Sequence, residues 1–300
     1  MRIGIDLGGT KIEIIALDQQ GRAIFRKRVA TPQHDYPATL DAINQLVIEA
    51  ETTTKQKGSV GIGIPGSISP HSGLVKNANS TWIIGQPLQQ DLSALLSRDV
   101  YIANDANCFV VSEATDGAAA GAEVVFGVII GTGTGGGIAV NARPIIGKNA
   151  IGGEWGHNPL PWPKDDERPG KKCFCGKHGC IETWLSGPGF LYDHQQRMGN
   201  GKDPREIVQL AEQGDLLAEE TLQRYENRMA RALASVINVV DPDVVVLGGG
   251  MSNLKRLYEN VPKIWGKYIF SDHVATKLLP PEHGDASGVR GAAWLWPKSS

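Results

Sequence analysis

The sequence predicts an α/β protein of two domains, and three observations carry that reading. At about 150 residues per domain, 300 residues make two, and 41% hydrophobic residues suffice for a core in each. Short apolar runs that end at glycine or Asn/Asp turns alternate with segments of helical period. A strand, glycine turn, strand plan near residue 3 returns near residue 124, which suggests that one domain plan is used twice.

Residues 3–6 form an apolar strand running into Gly8-Gly9-Thr10, and residues 12–17 form its hairpin partner. Leu40, Ile43, Leu46, Val47 and Ala50 recur at helical spacing and predict an amphipathic helix over 38–50. Residues 60–64, closed by Pro65-Gly66, and 100–103, running into Asn104-Asp105, read as buried strands. The small-residue stretch 112–121 reads as a helix followed by the passage into the second half, with the boundary near residue 118. The second hairpin joins 124–130 to 138–140 through a glycine-rich turn at 131–137. Residues 204–213 and 216–240 are helical in pattern, and Leu222, Tyr225, Met229, Leu233, Val236, Ile237 and Val240 line one face of the longer one. A buried strand at 244–247 enters Gly248-Gly249-Gly250, a further helical pattern follows, and 288–296 reads as a short closing helix. The expected division is therefore 1–118 and 119–287, with a closing segment 288–300 that packs on the N-terminal domain.

The charge balance excludes several classes of function. Thirty Lys and Arg against 32 Asp and Glu give a net charge of −2, with no long single-sign run to attract nucleic acid or an anionic membrane. The first residues lack the basic and long apolar regions of a secretory signal, and the apolar runs at 124–130 and 244–247 are far shorter than the ~20 residues of a bilayer span. A cytoplasmic chain with no nucleic-acid or membrane partner is expected.

The two glycine turns are the first candidates for chemistry. A glycine turn after a strand presents backbone N–H groups with no Cβ in the way, and so can wrap a phosphate. Two such turns, with hydroxyls at Thr10, Thr132 and Thr134, point to two jaws on one polyphosphate; neither has the spacing of a P-loop. Asp6, where the first strand meets its turn, is a carboxylate suited to Mg²⁺ beside such a phosphate. Asn104-Asp105 stands at the C-terminal end of a strand, where open α/β sheets carry ligands, although an Asx turn or helix N-cap is the commoner reason for such a pair and a functional role needs support from elsewhere in the chain.

Three of the four cysteines, Cys173, Cys175 and Cys180, fall within eight residues. They offer three thiolates of a tetrahedral zinc site, and by spacing either His157 or His178 completes it. The preceding stretch 161–172 is charged and Pro-rich with no core of its own, so a metal would fix its end. With His157 as ligand, Glu154 and Glu182 would approach one another and, beside Asn104 and Asp105, form a pocket for a polyol.

The segments IGIDLGGTK at 3–11, NDAN at 104–107, GTGTGGG at 131–137, GGEWGH at 152–157 and CFCGKHGCIE at 173–182 together resemble the ROK family of bacterial sugar kinases and sugar-responsive repressors. They occur in the family's order over nearly the whole chain. The resemblance implies a duplicated actin-like ATPase (ribonuclease H-like) fold with ATP and sugar bound in an interdomain cleft. It implies Asp105 as catalytic base; Gly66, Asn79, Asn104, Glu154, His157 and Glu182 on the sugar; and His157 with the three cysteines on structural Zn²⁺. Asp6, Gly8, Gly9, Thr10, Lys11, Gly131, Thr132, Gly133, Thr134, Gly135, Gly248, Gly249 and Gly250 then serve MgATP. The branch most resembled is the fructokinases or manno(fructo)kinases, which implies a homodimer that phosphorylates the 6-hydroxyl of fructose, with mannose, glucose or N-acetylglucosamine as alternatives. A sugar-sensing repressor is the reading from another class. Fifteen residues separate His157 from Cys173, more than in many members, so the sugar-side loop departs from the family pattern.

Overall fold

The computed structural model describes residues 1–78 and 80–296. In chain order the first elements are β1 (Arg2–Leu7), β2 (Lys11–Leu17), β3 (Ala23–Ala30), α1 (Tyr36–Thr54), β4 (Ser59–Ile64), β5 (Ser67–Ile68), β6 (Val75–Lys76), α2 (Leu88–Leu96), β7 (Val100–Asn104) and α3 (Asp105–Thr115). They are followed by β8 (Val124–Ile130), β9 (Thr134–Val140), β10 (Arg143–Pro144), α4 (Glu182–Leu185), α5 (Gly187–Gln196), α6 (Pro204–Glu212), α7 (Leu216–Val240), β11 (Val244–Gly248), α8 (Arg256–Trp265), β12 (Lys277–Leu279) and α9 (Ser287–Trp294). Two compact units result. One comprises Met1–Gly121, Gly137–Gly152 and the stretch from Glu282, and the other Ala122–Gly136 and Gly153–Pro281.

The first unit is built on a sheet of order β3-β2-β1-β4-β7, in which β1 and β2 form the expected hairpin and β1, β4 and β7 run parallel. Ile3, Ile5, Leu7, Ile62 and Ile64 from its strands meet Ile43, Leu46 and Val47 of α1 and Leu92 of α2 in one buried cluster. Helix α1 starts where Asp35 accepts the Ala38 N–H, with a proline in its first turn. Helix α9 packs against β1, β4 and α3. That approach requires glycine: a Cβ on Gly4 would strike the Val289 carbonyl, one on Gly61 the Ala292 carbonyl, and one on Gly291 the Cys108 carbonyl.

The second sheet, β10-β9-β8-β11-β12, repeats this scheme position for position, with β8, β11 and β12 parallel. Its glycine turn is shorter than expected, because β9 begins at Thr134 and takes in Gly135–Gly137. These glycines sit in a strand because neighbours approach closely. A Cβ on Gly136 would come within 2.8 Å of the Trp155 ring. The long helix α7 buries Leu222, Tyr225, Met229, Leu233, Val236 and Ile237 as its period requires, with Val240 half-buried at its end, where Asp241 adopts a left-handed conformation before Pro242. The same helix also buries Arg228 and Arg231, which apolar periodicity does not foretell. Among the described residues no helix is long and apolar enough to cross a membrane.

Candidate active site

In the first unit, strand ends bring together the acidic residues singled out by the sequence. Asp6 is the penultimate residue of β1, and Leu7 leads into the tight turn in which Gly8 N–H donates to the Lys11 carbonyl at 3.0 Å. The loop leaving β3 ties this turn down: Thr31 Oγ1 donates to Gly8 O at 2.8 Å and Gln33 Nε2 to Gly9 O at 2.8 Å. Thr10 and Lys11 are exposed at the turn.

Asn104 caps α3 by accepting the Ala106 N–H at 2.9 Å, and its Nδ2 donates to the Gly66 carbonyl at 3.2 Å. The N-cap role is thus real and accompanies a contact to a second candidate, Gly66, which is itself buried against β6. Asp105 accepts the same Ala106 N–H at 2.7 Å from the first turn of α3, where the helix dipole favours a carboxylate. Asn79 lies outside the described residues.

Burial first, then the negative charges of Asp105 and Glu13, together raise the Asp6 carboxyl to about 6, with Arg28 opposing them. Glu13 is itself buried beneath Arg26 and Arg28. Arg28 compensates only part of the charge on Asp6, a carboxylate desolvated next to a second one, and a divalent cation there would supply the rest. The donor set therefore fits Mg²⁺.

In the second unit, the turn between β8 and β9 is held from two sides. Thr134 N–H donates to Glu182 Oε2 at 3.0 Å, and Gly187 N–H donates to the Gly131 carbonyl at 2.8 Å. Gly131, Thr132 and Gly250 line a cavity of ≈ 480 Å³ together with Leu191, Arg205 and Met251. Gly249 has φ +81° and presses on the Ile130 backbone, while Gly248 ends β11. Leu191, Arg205 and Met251, like Gly187, were not foreseen. The Gly187-Pro188-Gly189 start of α5 and the Asp203-Pro204 start of α6 were visible in the sequence, but nothing local says that the two helix ends meet.

The cysteine segment folds into a knuckle. One ring nitrogen of His157 and the sulfurs of Cys173, Cys175 and Cys180 all lie within 4.8 Å of one another. Cys173 Sγ is 3.6 Å from His157 Nδ1, and Cys175 Sγ is 3.6 Å from Cys180 Sγ. Tetrahedral Zn²⁺ with Zn–S about 2.3 Å and Zn–N about 2.0 Å spaces its ligands about 3.5 to 3.8 Å apart, which these two separations match, and the cluster as a whole is of a size and donor type that suit that ion. His178, the alternative by spacing, is exposed and outside the cluster. Glu154 is exposed just before the short 3₁₀ turn that carries His157. Glu182 is turned toward the glycine turn, as above.

The stretch 161–172 is better anchored than its composition suggests. Glu167 is 5% exposed and bridges two helix arginines, accepting from Arg228 Nε at 2.8 Å and from Arg231 Nη2 at 2.7 Å. Burial by itself would raise this carboxyl, but the hydrogen bonds from Arg231, the Lys164 N–H and Arg228 outweigh it and hold it at about 2. Asp193 on α5 takes the other arm of Arg228 at 2.9 Å, and the Arg228 guanidinium stacks 4.3 Å from the centre of the Trp184 ring. A buried ionic cluster therefore fixes the loop independently of any metal, which corrects the expectation that it has no core.

The sequence profile described as the ROK family matches residues 2–299. An N-acetyl-D-glucosamine kinase of Salmonella paratyphi B is 42% identical over 299 residues, covering 98% of this chain and 99% of its own. Among solved structures, a ROK hexokinase from Thermus thermophilus superposes with a TM-score of 0.87 at 29% identity, covering 98% of this chain and 97% of the other. A ROK family glucokinase from Streptomyces griseus, solved with glucose and AMPPNP, gives 0.75 at 27% identity with 97% of each chain covered. The two matching sheets are those of the actin-like ATPase fold. From the motifs, the duplicated architecture and these full-length likenesses, the chain belongs to the ROK family, as one of its sugar kinases.

Proposed function

We propose that the protein transfers the γ-phosphoryl group of MgATP to the 6-hydroxyl of N-acetyl-D-glucosamine. The observation that carries this choice of sugar is the full-length 42% identity to an N-acetyl-D-glucosamine kinase; it favours that substrate over the fructose expected from the sequence. The kinase chemistry is supported by Asp105 at a strand end beside the desolvated Asp6.

Phosphoryl transfer asks a protein mainly for in-line positioning and charge neutralisation. In the first unit, Asp105 accepts the proton of the attacking hydroxyl as the O–P bond forms, while Asn104 and Gly66, and Asn79 by the resemblance, hold the sugar. Gly8, Gly9, Thr10 and Lys11 face phosphate. Asp6 would hold Mg²⁺, which when bound neutralises the charge of the transferring group.

In the second unit, Gly131 to Gly135 cradle phosphate with their N–H groups. The nucleoside occupies the cavity beside Gly250, with Gly248 and Gly249 shaping its floor. Glu154, His157 and Glu182 bind sugar hydroxyls. The knuckle of His157, Cys173, Cys175 and Cys180 would hold a structural Zn²⁺, which when bound would fix the segment carrying Glu182. The protein acts on small molecules as a homodimer in the cytoplasm.

The test is a panel of free sugars with MgATP, read by coupled ADP release, with the phosphorylated position assigned by NMR. N-acetyl-D-glucosamine should give the highest kcat/KM, at least about tenfold above fructose, since an acetamido-binding site loses its hydrogen bonds with a sugar lacking that group. A higher value for fructose would overturn the choice of sugar. ADP release with none of the sugars would overturn the kinase.

A further inference from the structure

We infer that Glu182 is a positioning residue for nucleotide as well as a sugar contact, and that through it the Cys/His knuckle sets the shape of the phosphate turn 131–134. The inference rests on the kinase reading above and extends it within one unit of the protein.

Each carboxylate oxygen of Glu182 meets a different part of the site. Oε2 accepts the Thr134 N–H at 3.0 Å, and Oε1 lies 3.9 Å from Cys173 Sγ. The side chain thus spans the knuckle and the turn. The turn leaves no slack around it, because a Cβ added at Gly133 would stand 2.7 Å from Oε2. Gly133 is needed here for the close approach of a carboxylate, apart from any phosphate.

The backbone repeats the connection. Cys180, a member of the knuckle, is bridged to Pro159, and its carbonyl accepts both the N–H and the Oγ1 of Thr183, at 2.9 and 2.7 Å. Glu182 is therefore held at the head of α4. Five residues on, Gly187 N–H donates to Gly131 O at 2.8 Å. The segment 182–187 grips the turn at both ends, by a side chain at Thr134 and by the main chain at Gly131, and its own start is fixed by the knuckle.

A second observation places the turn at a ligand-sized space: Gly131 and Thr132 line the cavity of ≈ 480 Å³ described above. Thr134 is 4% exposed, and its Oγ1 is buried with no hydrogen-bond partner among the described residues. The charge of Glu182 makes the direction of the effect diagnostic. A carboxylate near phosphate repels it, so removing the side chain would tighten nucleotide binding if Glu182 acted only through its field. Removal weakens binding if its work is to hold Thr134 and Gly133 in place.

The experiment is calorimetric titration of the intact, metal-loaded protein with MgADP in the absence of sugar, with bound metal and thermal midpoint measured for every sample. Glu182→Ala should bind MgADP about tenfold or more weakly, the scale of one hydrogen bond to a charged group. Glu182→Gln, which keeps an acceptor oxygen, should stay within about threefold of the parent. Stripping the parent with a thiol-directed zinc chelator before Mg²⁺ is added should weaken MgADP by a similar factor. Stripping Glu182→Ala should add less than about twofold, because the link is already cut. Gly133→Ala makes the same test from the side of the turn and decides the matter if Glu182→Ala loses its metal or fails to fold.

Unchanged or tighter MgADP binding by Gly133→Ala and a metal-loaded Glu182→Ala would overturn the inference, as would a full loss on stripping Glu182→Ala. Absence of MgADP binding by the parent would instead overturn the kinase reading on which it rests.

Discussion

The Asp6→Asn variant should fold more stably than the parent at neutral pH while losing phosphoryl transfer. Burial, Asp105 and Glu13 raise the Asp6 carboxyl from 3.8 to about 6 in the folded protein. A group whose folded value is raised binds more protons folded than unfolded between those limits, so its contribution to stability falls as pH climbs from about 4 to about 6 and stays low above. The interval from 3.8 to about 6, at about 1.4 kcal/mol per pH unit, amounts to about 3 kcal/mol at pH 7.5. Asparagine keeps the shape and removes the charge, so it should recover about 1 to 3 kcal/mol of this.

Urea unfolding followed by tryptophan fluorescence, on ligand-free protein at pH 7.5 and pH 4, checks the claim. The variant midpoint should lie higher at pH 7.5, and the two proteins should agree within about 0.5 kcal/mol at pH 4, where Asp6 is largely protonated. A variant no more stable than the parent at pH 7.5 would refute the account of Asp6 as a carboxylate only partly compensated and awaiting a cation.

Asp105→Ala should lower kcat by about 10²- to 10⁴-fold, the range for loss of a general base, while N-acetyl-D-glucosamine binding remains measurable by calorimetry; a kcat near the parent value removes Asp105 from its role. Glu167→Gln leaves the buried Arg228 and Arg231 facing a neutral amide and should destabilise the protein by about 3 kcal/mol, with faster tryptic cleavage after Lys164 or Lys171. In the parent the Glu167 contribution is complete above pH 4.5 and is lost as pH falls toward about 2; a variant with the same acid unfolding curve would count against it. Cys175→Ser should lose bound zinc and weaken sugar binding, and finding no zinc by mass spectrometry in the purified parent would end the metal assignment.

What the sequence disclosed was whatever short-range periodicity and turn chemistry can encode. The hairpins at Asp6 and at Gly131, the strand running into Asn104-Asp105 and the apolar face of α7 follow from residues within a few positions of one another. Strand β3 escaped because Arg26, Lys27 and Arg28 make an edge strand with almost no buried face. Helix α2 carries a short apolar signal, Leu88, Leu92 and Leu96 at intervals of four, within a segment of only nine residues.

The buried ion cluster was beyond reach for another reason. Glu167 finds its partners 61 and 64 residues on, and arginines on a helix read as solvated until the helix is seen to turn them inward. The anchoring of Thr134 by Glu182 is of the same kind, a pairing across 48 positions. For the cysteine knuckle, spacing supplied the ligand type but left two histidines open; the family resemblance pointed to His157, and the folded chain groups His157, not His178, with the three cysteines.

The seat of α9 on Gly4 and Gly61 has a consequence for how the polypeptide matures. The helix that covers β1 and β4 is encoded after the whole of the second unit, so a ribosome has already released the early strands before their cover exists. During that interval a glycine-smoothed apolar surface stands open, held back from completion by the entropy of closing a very long loop. Translation of this enzyme should therefore expose a nascent intermediate that chaperones recognise, and its yield in cells should depend on how fast synthesis reaches residue 287.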